Sequence, residues 1–157
     1  MKKCPLCGGD IGKYDNPFPT ADILIYSPEK GIVLIERKNP PFGIAVPGGF
    51  INTGESAEHA AIREAKEETD LDIDLIGLIG VYSTPGRDPR FHTLTAAFVA
   101  APRDPEQLRA GDDASRAAFY RLDEIPHLCF DHDVLIGHFR DWLAGKRPLL
   151  PCSDGRI

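Results

Sequence analysis

Short apolar runs at residues 23–26 and 31–35 flank the tetrapeptide Ser27-Pro28-Glu29-Lys30, which is rich in turn-forming residues. Two such runs on either side of a turn predict a β-hairpin. Residues 44–46 predict a further short strand, and Pro47-Gly48-Gly49 after them predicts a turn. The first half of the chain is therefore expected to be rich in strands.

Helix-forming residues dominate positions 56–69, and either Thr53 or Ser56 is placed to cap the resulting helix. The remaining apolar runs predict three strands, over residues 71–83, 91–101 and 117–122. A last helix is expected to begin at Asp131 or Asp133, because the apolar residues that follow recur at helical spacing. Strands with one helix among them and another at the end predict a mixed α/β sandwich.

The two ends of the chain differ in character from its centre. Residues 1–19 are rich in Gly, Pro and Cys and show no periodicity, so they are interpreted as an N-terminal appendage. Residues 20–145 carry all the predicted elements and are expected to form one domain, since a chain of 157 residues suits a single core. Residues 146–157 are interpreted as a C-terminal tail.

Composition and charge narrow the function classes. Hydrophobic residues make up 42% and charged residues 27%, which is ordinary for a soluble globular protein. With 18 basic and 24 acidic residues, the net charge of -6 argues against binding to polymeric nucleic acid but permits a small phosphorylated substrate. The sequence shows no secretory signal and no apolar run long enough to cross a membrane, so a cytoplasmic location with reduced cysteines is expected.

Three glutamates after the predicted turn carry the strongest chemical signal. On a helix, Glu64, Glu67 and Glu68 fall at i, i+3 and i+4 and therefore share one face. Their mutual repulsion would destabilise a bare helix, and a hard divalent cation such as Mg²⁺ or Mn²⁺ would resolve it. Arg63 precedes Glu67 by four positions and is placed to orient a carboxylate, while Gly48 leaves room for close backbone approach.

Residues 49–71 resemble the Nudix box, whose pattern is Gly-x5-Glu-x7-Arg-Glu-U-x-Glu-Glu-x-Gly-U, with U an apolar residue. Every fixed position matches except the last glycine, which is Asp70 here. Glycine at that position ends the helix in a left-handed conformation, which Asp adopts at modest cost. The departure is therefore expected to affect the helix end more than the chemistry. A solvated acidic helix is the alternative interpretation, and the exact spacing argues against it.

The resemblance implies a fold, a reaction and a set of roles. The fold would be an α/β/α sandwich with a mixed β-sheet, of the α+β class, and the reaction hydrolysis of a pyrophosphate bond by metal-activated water. The implied metal ligands are Glu64, Glu67, Glu68 and the Gly48 carbonyl, with Mg²⁺ or Mn²⁺ as cofactor. Glu64 also matches a family residue that assists water activation. Arg63 and Glu55 match positions that orient the carboxylates.

The resemblance does not fix the catalytic base, which the family often recruits from outside the box. Asp112 and Asp113 are candidates for that role or for substrate binding. The alternative is that they form a polar turn before a strand.

Substrate choice is expected to depend on the loop that contains Pro85, Arg87 and Arg90. A proline at this distance from the box is similar to the ADP-ribose pyrophosphatase branch of the family, whose members are often homodimers, and the two arginines are candidates for gripping phosphate. An ordinary turn is the alternative interpretation. The competing functions are a (d)NTP pyrophosphatase of the nucleotide-cleaning type and a non-catalytic nucleotide sensor.

Cys4-Pro5-Leu6-Cys7 has the spacing of a zinc knuckle, but a second cysteine pair is missing. Either Cys152 or a histidine completes a Zn²⁺ site there, or the knuckle binds nothing. Cys129, between apolar neighbours, is more simply interpreted as a core residue.

Overall fold

The computed structural model describes residues 3–11, 16–111 and 114–153, and it is built from seven strands and two α-helices in that part of the chain. The elements in chain order are β1 (Phe18–Ser27), β2 (Gly31–Arg37), β3 (Ile44–Ala45), β4 (Gly48–Phe50), α1 (Ala57–Thr69), β5 (Ile73–Tyr82), β6 (Thr93–Pro102), β7 (Ala114–Tyr120) and α2 (His132–Leu143). A short 3-10 turn covers Pro105–Gln107. Neither α-helix is long and apolar enough to span a membrane.

Strand β1 is the centre of the sheet. It runs parallel to β6 along most of its length, from Phe18 opposite Thr93 to Ile25 opposite Ala100. Its last residues pair with β2 in the predicted hairpin, where Tyr26 lies opposite Ile32. The main strand order is β3-β2-β1-β6-β5, with β4 on β1 and β7 on β2. The single parallel pairing among antiparallel ones makes the sheet mixed, as expected.

The two helices cover opposite faces of this sheet. Ile23 and Ile25 of β1 belong to the core cluster that contains the α1 alanines, whereas Leu24 belongs to the cluster that contains Leu135 and Phe139 of α2. Alternate residues of a strand point to opposite faces, so β1 contributes to both cores and is buried on both sides. The α+β class and the α/β/α sandwich are thereby confirmed.

Helix α1 begins and ends with local side-chain and backbone caps. Ser56 is the N-cap, and its hydroxyl accepts from the His59 amide at 3.1 Å, so Ser56 rather than Thr53 fills this role. At the other end Asp70 has φ 57° and donates its amide to Lys66 O at 2.9 Å. Asp70 therefore adopts the left-handed conformation expected at the position where the Nudix box has glycine.

The prediction of a turn at residues 47–49 was wrong for its glycines, because residues 48–50 form strand β4. Gly48 lies opposite Asp22 and Gly49 opposite Ala21 of β1. A Cβ at Gly48 would lie 2.4 Å from Ala21 O, so glycine is what allows the two backbones to approach. The two glycines therefore permit close strand pairing here and do not reverse the chain.

Part of each segment assigned to the sequence ends belongs to the domain. Strand β1 begins at Phe18, within the segment assigned to the N-terminal appendage. In the C-terminal tail, Leu150 forms an isolated bridge with Leu78 of β5. The tail therefore contacts the sheet at Leu150, and the Ser153 amide donates to Glu58 of α1.

The contact between β2 and β7 is tight enough to test by substitution. Gly31 and Gly54 both have positive φ, 99° and 84°, but a Cβ at Gly31 would lie 2.0 Å from Tyr120 O, whereas Gly54 has nothing within 4 Å. We expect Gly54→Ala to lower the free energy of unfolding by about 1 kcal/mol through backbone strain alone. Gly31→Ala should cost about 2 kcal/mol more because of the clash. Urea denaturation of both variants measures the difference, and equal losses would contradict the close approach.

Candidate active site

Arg63 of α1 gathers the acidic residues of the site. Its Nε and Nη2 donate to the two carboxylate oxygens of Glu55 at 2.8 and 2.9 Å, a bidentate pair. Its Nη1 donates to Glu64 at 2.6 Å and to Glu67 at 3.0 Å, and Nη2 also donates to Phe50 O at 2.9 Å. One guanidinium thus fixes the loop before α1, the end of β4 and two helical carboxylates.

These contacts shift the pKa values of the partners in opposite directions. The hydrogen bonds from Arg63 lower the pKa of Glu55 from 4.5 to about 2. The same contact, with smaller contributions from Glu64, raises the pKa of Arg63. Burial raises the pKa of Glu64, and the hydrogen bond from Arg63 opposes that rise only in part. Glu55 is therefore ionised across the neutral range, and Glu64 is the more readily protonated carboxyl.

Strand β4 brings backbone directly against two of the glutamates. The Gly48 amide donates to Glu68 Oε2 at 2.9 Å, and Glu68 is only 6% exposed. A Cβ at Gly49 would lie 2.3 Å from Glu64 Oε1. Glycine is needed at this position so that the Glu64 carboxylate can lie on the strand. The described contact of Gly48 runs through its amide, and its carbonyl as a metal ligand stays a prediction.

The donor set has the chemistry of a site for a hard divalent cation. Glu64, Glu67 and Glu68 offer carboxylate oxygens, which Mg²⁺ and Mn²⁺ prefer. Across residues 3–11, 16–111 and 114–153, however, no group of three or more His, Cys, Asp or Glu side chains is arranged to hold a metal. Arg63 takes up the charge of Glu64 and Glu67 in this arrangement. Arg63 binds one oxygen of each of these carboxylates, so a cation would share Glu64 and Glu67 with it.

The cleft beside these carboxylates also carries positive charge. It has a volume of about 400 Å³ and includes Glu64, Glu68 and Arg63 together with two further guanidiniums, Arg37 and Arg90. Nothing in the sequence pattern singled out Arg37, which closes β2. The cleft therefore combines acids suited to a cation with guanidiniums suited to an anion.

Arg87 and Arg90 have different environments, although the sequence predicted that both would contact phosphate. The side chain of Arg87 is only 5% exposed, and it forms two hydrogen bonds with Asp131 and one each with Asp22, Thr93 and Thr95. With its donors committed within the protein, Arg87 favours a structural role over the expected contact with phosphate.

Arg90 remains a candidate for substrate contact. It holds Asp88 through Nε and Nη2 at 3.0 and 2.8 Å, and its side chain is 34% exposed in the cleft. A substrate phosphate can therefore reach this guanidinium.

The segment before α2 was not identified as part of the site from the sequence. Asp131 occupies the N-cap position of α2 but makes no side-chain cap hydrogen bond, because its carboxylate binds Arg87. The buried His132 accepts the Val46 amide at its Nδ1, 3.1 Å away. Asp131 and His132 thus connect α2 to the loop after β5 and to the approach to β4.

Asp112 and Asp113 lie outside the described residues, and their roles as base or substrate ligand stay predictions. Their neighbour Gly111 donates its amide to Glu68 O at 3.0 Å. The described chain thus reaches the end of α1 immediately before these two residues.

The structure does not support a zinc site at the N-terminal cysteines. Cys4 and Gly9 close a tight turn, in which the Cys4 amide donates to Gly9 O at 2.8 Å, and hydrogen bonds from the Leu6 and Cys7 backbone lower the Cys4 thiol pKa. No third ligand accompanies Cys4 and Cys7 among the described residues. Cys152, which with a histidine was a candidate for the completing ligand, packs against the core cluster beneath α1, where burial raises its pKa.

Cys129 is half-buried beside a small core cluster. This position is consistent with the interpretation of Cys129 as a core residue.

The Arg63–Glu55 pair predicts a specific dependence of stability on pH. Because the folded-state pKa of Glu55 is about 2, its stabilising effect is present above 4.5 and is lost as the pH falls towards 2. We expect Glu55→Gln to unfold more readily than the parent at pH 7, with a difference that shrinks below pH 4.5. Urea denaturation between pH 7 and 2.5 measures this, with the exposed Glu29→Gln as control. A difference independent of pH would contradict the ion pair.

Comparison with known proteins shows the family to which this chain is similar. Residues 16–143 match the family described as NUDIX domain. An ADP-ribose pyrophosphatase of Methanocaldococcus jannaschii is 44% identical over 141 residues, 87% of this chain and 82% of that protein. A NUDIX hydrolase from Nitrosomonas europaea shares the fold at 22% identity, with a TM-score of 0.77 over 96% of this chain and 97% of that one.

A bifunctional NMN adenylyltransferase/ADP ribose pyrophosphatase from Francisella tularensis, crystallised with AMP and a Mn ion, is 25% identical with a TM-score of 0.71. That match covers 83% of this chain and 43% of the Francisella protein. The domain match and the level of identity to the Methanocaldococcus protein show that this chain belongs to the Nudix family and is a pyrophosphohydrolase.

Proposed function

We propose that this protein hydrolyses the pyrophosphate bond of ADP-ribose or a related nucleoside diphosphate sugar, with Mg²⁺ or Mn²⁺ as cofactor. The observation that carries the proposal is one cleft in which the carboxylates of Glu64 and Glu68 lie together with the guanidiniums of Arg37 and Arg90. A substrate with a diphosphate centre needs both kinds of group, because a cation neutralises part of its charge and donors bind the rest. The relative from Methanocaldococcus, named an ADP-ribose pyrophosphatase, supports this substrate class.

Glu64, Glu67 and Glu68 are the residues that would hold the metal. A divalent cation supplies charge neutralisation at the phosphoryl oxygens and lowers the pKa of the attacking water. Glu55 keeps its charge at neutral pH and holds Arg63 bidentately, so Arg63 stays in place beside Glu64 and Glu67. Arg63 therefore orients the ligands without competing for all of them.

Exposed aromatic rings border the cleft where the nucleoside would lie. Phe50 lines the cleft, and its ring centroid lies 6.1 Å from that of Phe18 and 6.2 Å from that of Phe91. Each of the three is more than 40% exposed, at 52%, 41% and 43% for Phe18, Phe50 and Phe91. Aromatic faces beside an anion-binding cleft suit the base of a nucleotide, which stacks without needing a specific hydrogen bond.

A homodimer stays an expectation from the resemblance.

A hydrolysis panel tests the substrate class. The purified protein would be incubated with Mg²⁺ or Mn²⁺ and with ADP-ribose, other nucleoside diphosphate sugars, NADH or (d)NTPs, and the products separated by ion-exchange chromatography. We expect preferred release of AMP and ribose 5-phosphate from ADP-ribose. Preferred release of pyrophosphate from a triphosphate would overturn the proposal in favour of a nucleotide-cleaning enzyme, and no hydrolysis at all would favour a sensor.

Substitution of Glu68 tests the metal-binding face. Glu68→Gln keeps the shape of the side chain but offers an amide, which binds a hard dication poorly, so kcat should fall on the order of 10²-fold. Glu58→Gln removes a carboxylate from the same helix outside the cleft, where Glu58 accepts only the Ser153 amide among its described hydrogen bonds. This control should keep kcat within about twofold of the parent. Full activity of Glu68→Gln on the best substrate would exclude the proposed ligand set.

A further inference from the structure

Phe130 has a backbone conformation that its side chain disfavours. Its φ is 60°, and among the described residues only Asp70 shares a positive φ without being glycine. Asp70 ends α1 in the usual left-handed cap, whereas Phe130 precedes α2 and caps nothing. A bulky residue in this region is strained, and such strain persists only where surrounding contacts enforce it.

Neighbouring contacts enforce the conformation from both sides. The Cys129 amide donates to Ile44 O at 2.8 Å, and the Asp131 carboxylate binds Arg87. His132 accepts the Val46 amide. With the residues before and after it fixed to β3, to the loop after β5 and to the approach to β4, Phe130 has no freedom to relax.

The strained backbone aims the Phe130 ring at two arginines. The guanidinium carbon of Arg37 lies 5.0 Å from the ring centroid, and that of Arg90 lies 5.4 Å from it. Both distances are within the range of cation–π contact. One aromatic ring therefore contacts two guanidiniums of the cleft.

The two positive charges are not equally compensated. Arg90 pairs with the buried Asp88, whereas no carboxylate within the described ranges forms an ion pair with Arg37, whose Nε donates to Pro41 O at 2.8 Å. Burial lowers the pKa of Arg37 and the charge of Arg90 lowers it further, while Cys129, Glu68 and Asp88 oppose this in part. The arrangement keeps repulsion between like charges that an anion placed between them would relieve.

We propose that Phe130 is a positioning residue that holds Arg37 and Arg90 as a paired clamp for the diphosphate group of the substrate. The inference rests on the proposed function and deepens it, because it names the group that binds the central charge of the substrate. Arg37 and Arg90 line the same cleft as Glu64 and Glu68, so an anion held by the clamp lies beside the acidic face of α1. The ring contributes stacking area and orientation, and the arginines contribute the charge.

Two substitutions of Phe130 separate the ring from the backbone. Phe130→Gly removes the ring while adopting a φ of 60° without strain, so the fold is preserved. Phe130→Tyr keeps an aromatic face for both guanidiniums. The measurements are KM and kcat for the best substrate of the panel, and the dissociation constant of inorganic pyrophosphate in the presence of Mg²⁺ by calorimetry.

We expect Phe130→Gly to raise KM and the pyrophosphate dissociation constant about tenfold, with kcat within about twofold of the parent. Phe130→Tyr should stay within about twofold of the parent in all three quantities. Arg37→Gln should weaken pyrophosphate binding in the parent and have a smaller effect in the Phe130→Gly background, because the two residues act as one unit.

Parent-like pyrophosphate binding by Phe130→Gly would overturn the proposal, as would an equal loss in the Gly and Tyr variants, which would assign Phe130 a structural role. A parent protein that cuts no nucleoside diphosphate sugar but binds pyrophosphate more tightly than Phe130→Gly would reject the proposed function and leave the clamp standing. Hydrolysis of ADP-ribose by the parent, together with unchanged pyrophosphate binding by Phe130→Gly, would support the proposed function and reject the clamp.

Discussion

The buried guanidinium of Arg87 connects the elements that lie beside the cleft. Arg87 lies among Asp22 of β1, Asp131 before α2 and the threonines of β6, and its side chain is almost fully buried. A buried guanidinium without its carboxylates would be strongly unfavourable, so these elements cannot separate while the protein is folded. The position of Asp131 in turn fixes its neighbours Phe130 and His132, which line a smaller cavity that shares Arg37 and Arg90 with the cleft. The shape of the substrate site thus depends on a residue that is itself inaccessible to substrate.

Arg63 lines the cleft itself and acts in a different way. It is more exposed than Arg87, and its acidic partners include two that would also bind a metal. Glu55 has no such second role, and it accepts two hydrogen bonds from Arg63, whereas Glu64 and Glu67 accept one each. The site therefore has one buried guanidinium that connects separate elements and one partly exposed guanidinium that orients the acids of α1. Carboxylates and guanidiniums can therefore lie in one cleft without all forming ion pairs with each other.

The sequence predicted those features that depend on neighbouring residues. The hairpin, both helices and the left-handed Asp70 follow from local periodicity and capping, and the spacing of Glu64, Glu67 and Glu68 places them on one helical face. Strand β4 was missed because a glycine pair is equally typical of a turn. Only the distant β1 shows that those glycines permit strand pairing. The roles of Arg87 and Asp131 were missed for the same reason, since their contact joins residues 44 positions apart.

The same contrast explains why family chemistry is easier to predict from this sequence than substrate choice. The acids that would hold a metal come from one helix, so a short motif specifies them completely. The groups proposed to bind substrate come from separate segments: Arg37 ends β2, Phe50 ends β4, Arg90 lies between β5 and β6, and Phe130 precedes α2. The contact of Phe50 with Arg63 runs through its backbone carbonyl, so its side chain can differ without changing the acidic face of α1. Substrate choice is therefore a property of the assembled fold, and no single stretch of this sequence encodes it.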